Sequence, residues 1–294
     1  MFDLVHRIGR DNVVYSMSAE NSSAIVVNSG DTVIVETEDC FSHAIVSEKQ
    51  TVGRNFDFSH INPATGPIGV QGAKPGDTLV VSVEKIEVDD TGVMETCPGW
   101  GPAGNLVTEC VTEIVKIESG CAVFMNKKLK ISPMIGVIGN SPESGSISCG
   151  TPGIHGGNLD TVDIREGSKI YLPVFVEGGN LSLGDVHAKM GDGEVCGTGI
   201  EIRAVVTIRI EIEKRTIEGP IVECDNAFYV IHSEKNFEEA SRGAVERAVR
   251  LIAESNSIPL SRAYMLASIS CDLLVSQVVN PLVTVRMRIP KEIL

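Results

Sequence analysis

A chain of 294 residues, 43% hydrophobic and 22% charged, can build one large core or two intimately packed ones. Its formal net charge is −14, and its densest basic run is Lys127-Lys128-Leu129-Lys130, so neither nucleic acid nor an anionic membrane surface is expected as a partner. The start, Met1-Phe2-Asp3-Leu4, has no apolar signal core, and no apolar run reaches the roughly 18 residues of a membrane span, so the cytoplasm is the expected location.

Most of the chain reads as strands. Asn12 to Tyr15, Ala24 to Asn28 and Thr32 to Glu36 are short β-rich runs separated by turn residues such as Ser29-Gly30-Asp31. The turn Lys74-Pro75-Gly76-Asp77 leads into Thr78 to Val88, whose alternation marks one wet face. Residues 98–105 and 139–160 are rich in Gly, Pro and Ser and read as loops. Ile164 to Val176 turns at Gly167 into another strand, and residues 200–213 alternate as a long half-exposed one. The period then changes. Ser233 is positioned to cap a helix over Asn236 to Ser255, with Phe237, Ala240, Ala244, Ala248 and Leu251 at helical spacing. A second helix fits Ser261 to Ala267 or somewhat beyond, and strand-like runs follow at Asp272 to Val279 and Val283 to Ile289. The pattern predicts a mainly β protein: a β-rich body over 1–215 that carries the site, and a smaller α+β part over 216–294 packed on it.

Only one tryptophan, Trp100, is present, so the core is expected to be aliphatic. The eight cysteines (40, 97, 110, 121, 149, 196, 224 and 271) include no C-x-x-C pair, which argues against a structural zinc site. A chain this large does not need disulfide staples, so reduced, mostly buried thiols are expected.

The residues fit for chemistry gather in two glycine-flanked segments. In Gly184-Asp185-Val186-His187, Asp185 and His187 are two apart, so on a strand they share a face. A carboxylate and an imidazole so placed can bind a divalent ion, or act as a base with its orienting partner. Asp192 and Glu194 repeat the spacing in Gly191-Asp192-Gly193-Glu194, although an Asp-Gly hairpin turn with incidental charge would look the same. Upstream, His155 and Asp160 flank Gly156-Gly157-Asn158, a turn whose N–H groups could hold an oxyanion, or which could be a plain glycine turn beside a surface histidine. His43, after Glu38 and Asp39, has a weaker claim. Cys149, six residues before His155, is the alternative nucleophile, and no G-x-S-x-G elbow accompanies it.

Several motifs in order resemble the acetamidase/formamidase family in its shorter prokaryotic form. They are Asn62-Pro63-Ala64-Thr65-Gly66-Pro67-Ile68, Ala73-Lys74-Pro75-Gly76-Asp77 and Ile135-Gly136-Val137-Ile138-Gly139. Pro152 to Asp160, Gly184 to His187, Gly191 to Glu194 and Gly197-Thr198-Gly199-Ile200-Glu201 complete the set. The resemblance implies a jelly-roll-like β-sandwich body, a homodimer or higher homo-oligomer, and hydrolysis of formamide or acetamide to carboxylate and ammonia. It also implies a divalent metal ion, zinc first, with calcium or another divalent ion as alternatives. Carried onto this chain, Asp160, Asp185, His187 and Glu201 become the metal ligands. Glu194 becomes the proton carrier, with Asp192 and His155 also catalytic, and Gly156, Gly157 and Asn158 lie against the substrate. Two competing readings are acyl transfer through Cys149, and a β-sandwich module that binds a cation or a sugar without hydrolysis. A calcium staple suits Asp-x-His poorly, because calcium prefers all-oxygen shells.

Overall fold

The structure is a computed structural model that describes residues 4–52 and 58–294. Its largest element is a nine-stranded sheet. The order runs Val5–Ile8, Thr32–Thr37, Ala204–Glu213, Thr78–Val88, Lys169–Pro173, Ile221–Glu223, Ala227–Glu234, Val283–Pro290, Asp272–Gln277. Ala204–Glu213 shows why such a sheet forms. Ala204, Val206, Ile208 and Ile210 are buried while the residues between them are half-exposed, the period of a strand with one wet face.

A second sheet joins Gly156–Asn158, Met134–Gly139, Leu181–His187, Ala64–Val70 and Val13–Val14, with Ile25–Val27 pairing parallel to Ala64–Val70. Every residue of Ala64–Val70, Met134–Gly139 and Leu181–His187 is buried. One face packs on the large sheet: Val33, Val81, Val206 and Ile208 share a core cluster with Ile68, Ile135, Ile138 and Leu183. Burying these apolar side chains contributes on the order of 2 kcal/mol each before entropy is counted. The body is mainly β, as the sequence pattern predicts, with two sheets packed face to face as the family resemblance implies. A small antiparallel sheet, Thr91–Thr96, Val111–Glu118, Cys121–Phe124 and Lys127–Lys130, completes it.

The strands from Ile221 onward extend the large sheet. Two helices, α1 (Phe237–Asn256) and α2 (Leu260–Ser270), lie against its end. Ala240, Ala244, Ala248 and Ile252 of α1 meet Ala263 and Ala267 of α2 and Val285, Met287 and Ile289 of the sheet. The cap of α1 is not Ser233. Asn236 takes the position, its side chain accepting from the Glu239 N–H at 2.9 Å, because Ser233 is still in a strand and bonded to Thr284. Among the described residues, no helix is long and apolar enough to cross a membrane.

Two other features differ from expectation or escape it. Cys97 and Cys110 form a disulfide, while the other six cysteines are free. Thr91–Thr96 and Val111–Glu118 pair with Thr96 opposite Val111, and this brings the two sulfurs together just beyond the strand ends. The second feature is Arg286, 2% exposed, on the strand Val283–Pro290. It donates to Asp163 at 2.7 Å, to the Val275 carbonyl at 2.8 Å, and to both oxygens of Asp192 at 2.9 and 3.0 Å.

Candidate active site

Five ionisable residues meet under the second sheet, none more than 6% exposed: Asp160, Asp185, His187, Glu194 and Glu201. Asp185 and His187 close the strand Leu181–His187, and the His187 Nε2 lies 3.4 Å from Asp185 Oδ1. A short bridge pairs the His187 backbone with that of Glu201, whose Oε2 lies 3.1 Å from the same nitrogen. Glu194 Oε1 is 4.0 Å from it. Asp160 follows the strand Gly156–Asn158. Neutral donors hold one side of three carboxylates. Asn62 Nδ2 donates to Asp185 Oδ2 at 2.9 Å, Asn280 Nδ2 to Asp160 Oδ2 at 2.7 Å, and the Gly199 N–H to Glu201 Oε1 at 2.9 Å.

The backbone is bent to make this possible. Asp160, Asp185 and Glu194 have φ of 40°, 53° and 47°, and Asn62 has 55°. Left-handed backbone is uncommon for residues other than glycine and costs about 1–3 kcal/mol where it is held, so four instances at one cluster mark a site that the surrounding fold must maintain. Space is equally restricted. A Cβ on Gly136 would sit 2.6 Å from Asp160 Oδ1, 2.7 Å from the Asp185 carbonyl and 2.8 Å from Asp185 Oδ2. Gly136→Ala is therefore expected to displace both carboxylates and lower turnover by about 10- to 100-fold. Wild-type kinetics in that variant would show that the carboxylate spacing is unimportant.

Like charges crowd together here. Burial, then the Asp185 charge, pushes Asp160 up to about 6. Burial lifts Glu194 well above its ordinary range, and Asp160 adds to the lift. Burial also raises Glu201, to about 8 against the opposing pull of His187. For His187 burial works against the charged form, but Glu201 and Asp185 outweigh it and the imidazole is raised. Four carboxylates around one imidazole call for more positive charge than the ring can supply.

A divalent cation fits this need. Asp160 Oδ1, Asp185 Oδ1, Glu201 Oε2 and both His187 nitrogens are buried without a hydrogen-bond partner. Asp160, His187 and Glu194 can each turn one donor atom to within 4.8 Å of the others, and so can Cys40, Asp185 and Glu201.

Not every expected residue joins the cluster. Asp192 is exposed and its carboxylate is taken up by Arg286, so it turns away from the pocket. His155 is buried in the glycine turn, is pushed down to about 4 by that burial, and belongs to neither donor group. The Gly156 N–H, expected to face an oxyanion, donates to the Gly153 carbonyl. Gly157 pairs with Ile138 in the sheet, so of this trio Asn158 alone lines the pocket. Cys149 is fully buried, and burial pushes its thiol up to about 12. Cys40, Asn62, Gly136 and Asn280 enter the site unannounced by their neighbours' chemistry. Only the motifs around Asn62 and Gly136 pointed toward them.

A cavity of about 610 Å³ reaches Asp185, Glu194 and Glu201. Phe41, Ile61, Trp100, Val279 and Pro281 are among the residues around it.

Comparison with known proteins gives a consistent result. The sequence model of the Acetamidase/Formamidase family matches residues 19–145 and 146–294. The chain superposes on the crystal structure of an acetamidase from Bacillus halodurans with a TM-score of 0.95 and 41% identity, covering 97% of each chain. It superposes likewise on a structure from Thermoanaerobacter tengcongensis described as a predicted acetamidase/formamidase, with a TM-score of 0.96 and 41% identity over 99% of this chain and 97% of that one. A formamidase from Methylophilus methylotrophus is 25% identical over 240 residues, 58% of this chain and 57% of its own. The chain matches less than two thirds of the length of such curated relatives, between 57% and 62%.

Proposed function

The chain belongs to the acetamidase/formamidase family, and from that premise we propose that it is a metal-dependent amidase that hydrolyses a carboxamide to carboxylate and ammonia. The observation that carries the reading is the buried carboxylate–histidine cluster with unpartnered donor atoms, three of whose residues line a cavity. Asp160, Asp185, His187 and Glu201 would hold the ion, and zinc suits the mixed oxygen and nitrogen donors better than calcium. When bound, such an ion supplies Lewis acidity toward the amide carbonyl and toward water.

The chain's own groups do the rest. Asn158 Oδ1, buried and without a partner, accepts an N–H of the substrate amide and orients it. Water adds to the carbonyl carbon, and Glu194 takes its proton. As the C–N bond breaks, Glu194 returns that proton to the nitrogen, which leaves as ammonia. The acid product then ionises to carboxylate. An amine is a poor leaving group, so proton return matters as much as water activation. Burial lifts the Glu194 carboxyl above its ordinary range, which makes its carboxylate a stronger base toward water.

The test is an ammonia-release assay on short amides, beginning with formamide and acetamide, together with elemental analysis of the purified chain. Ammonia release that a chelator abolishes and added metal restores is the expected result, with Cys149→Ala leaving it unchanged. Stoichiometric metal with no ammonia from any amide would replace this reading with that of a binding module. A cytoplasmic homodimer or higher oligomer completes the proposal, and light scattering of the purified chain would show a monomer if that part is wrong.

A further inference from the structure

The cavity is much larger than formamide or acetamide requires. At about 610 Å³ it lies within the roughly 300–1,000 Å³ of pockets that enclose drug-sized ligands. A two-carbon amide would leave most of it to water, in contact with Phe41, Ile61, Trp100, Val279 and Pro281. Trp100 is held in place by the fold. It lies in the segment that the Cys97–Cys110 disulfide ties down, and its backbone N–H donates to the Cys97 carbonyl at 3.0 Å. A Cβ on Gly197 would lie 3.0 Å from the Trp100 ring, so glycine there lets the indole approach the backbone three residues beyond Glu194.

The charge pattern narrows the choice. Among the described residues lining the cavity there is no lysine, arginine or histidine, so none of these residues receives a second anionic group. The acidic lining residues, Asp185, Glu194 and Glu201, all belong to the cluster, so no other carboxylate among the described lining residues is left to receive a cation.

Resting on the amidase reading above, we propose that the preferred substrate is a neutral primary carboxamide whose acyl side carries an apolar group of about six to ten non-hydrogen atoms, aromatic or branched aliphatic, packed against the Trp100 wall. Each methylene equivalent buried there is expected to raise kcat/KM about fourfold, chiefly through KM, because those contacts form in the ground state and the transition state alike.

Trp100 is the chain's single tryptophan, so its emission reports occupancy without turnover. Phenylacetamide, acetamide and the phenylacetate anion are titrated against the full chain, and ammonia release is measured with the two amides. The expected result is a saturable change in emission with phenylacetamide at a concentration at least about tenfold below acetamide, and a kcat/KM ratio of at least about ten in the same direction. Ile61→Phe, which narrows the cavity, is expected to lower that ratio. Equal or higher kcat/KM for acetamide, or tighter binding of phenylacetate than of phenylacetamide, overturns the proposal and leaves the amidase reading intact. Selective binding of phenylacetamide with no ammonia from either amide supports the ligand class and removes the amidase reading.

Discussion

Replacing Glu194 with glutamine lowers turnover about 10²- to 10⁴-fold while the chain stays folded. The two side chains are nearly isosteric. Glu194 is 6% exposed, and a side chain of the same size and shape fills its place without opening a void. The left-handed backbone at 194 is no harder for glutamine than for glutamate. What glutamine lacks is the ability to take a proton from water and return it to nitrogen. Three measurements on one preparation separate the alternatives: turnover, bound metal and thermal unfolding. Near-normal turnover removes Glu194 from the chemistry. Loss of metal along with turnover moves it among the ligands, beside Asp160 and His187, the two residues its donor atom can join.

Arg286→Met is expected to cost about 3–5 kcal/mol of stability. The guanidinium is buried and its Nε is bonded to Asp163, whose side chain is 9% exposed. Removing the cation strands that carboxylate away from water. The bond to Asp192 contributes little by comparison, because the Asp192 side chain is 43% exposed. Urea unfolding of Arg286→Met, of Asp192→Asn and of the double variant Arg286→Met/Asp163→Asn separates these terms. Asp192→Asn should lose less than about 1 kcal/mol, and the double variant should recover part of the loss because no unpaired charge remains buried. A loss below about 1 kcal/mol for Arg286→Met would mean that water reaches Asp163.

These two residues also show where sequence reading succeeds and where it stops. Asp185, His187, Glu194 and Asp160 were legible because short polar residues flanked by glycine recur in local segments. The i, i+2 spacing of Asp185 and His187 became a real contact. Asp192 shares that local signature with Glu194, but its partner Arg286 is 94 residues away, and no local pattern can reveal it. The same applies to Asn280, which reaches Asp160 across 120 residues. The long strand Ala204–Glu213 was visible because one face is half-exposed and the pattern alternates, whereas in Thr78–Val88 the residues Thr78 to Val81 are all buried and only the later part has a wet face. Met134–Gly139 and Leu181–His187 are covered on both faces, so period-two alternation is lost, and their glycines resemble loop residues. The disulfide was missed because its two cysteines are brought together by strand register, a non-local property.

The pocket gathers residues from across the chain, with Cys40 from one end, Asp185 from the middle and Asn280 from the other. The strands that flank Asn280 are at the far edge of the large sheet. Contacts so distant in sequence pay their loop-closure entropy late and form slowly. On the ribosome, a chain that has already delivered all five cluster residues, the last of them Glu201, still has no completed centre until Asn280 emerges and binds Asp160. Secondary structure is therefore expected to return before catalysis during refolding, and neither of the two matched stretches, 19–145 or 146–294, contains the whole pocket.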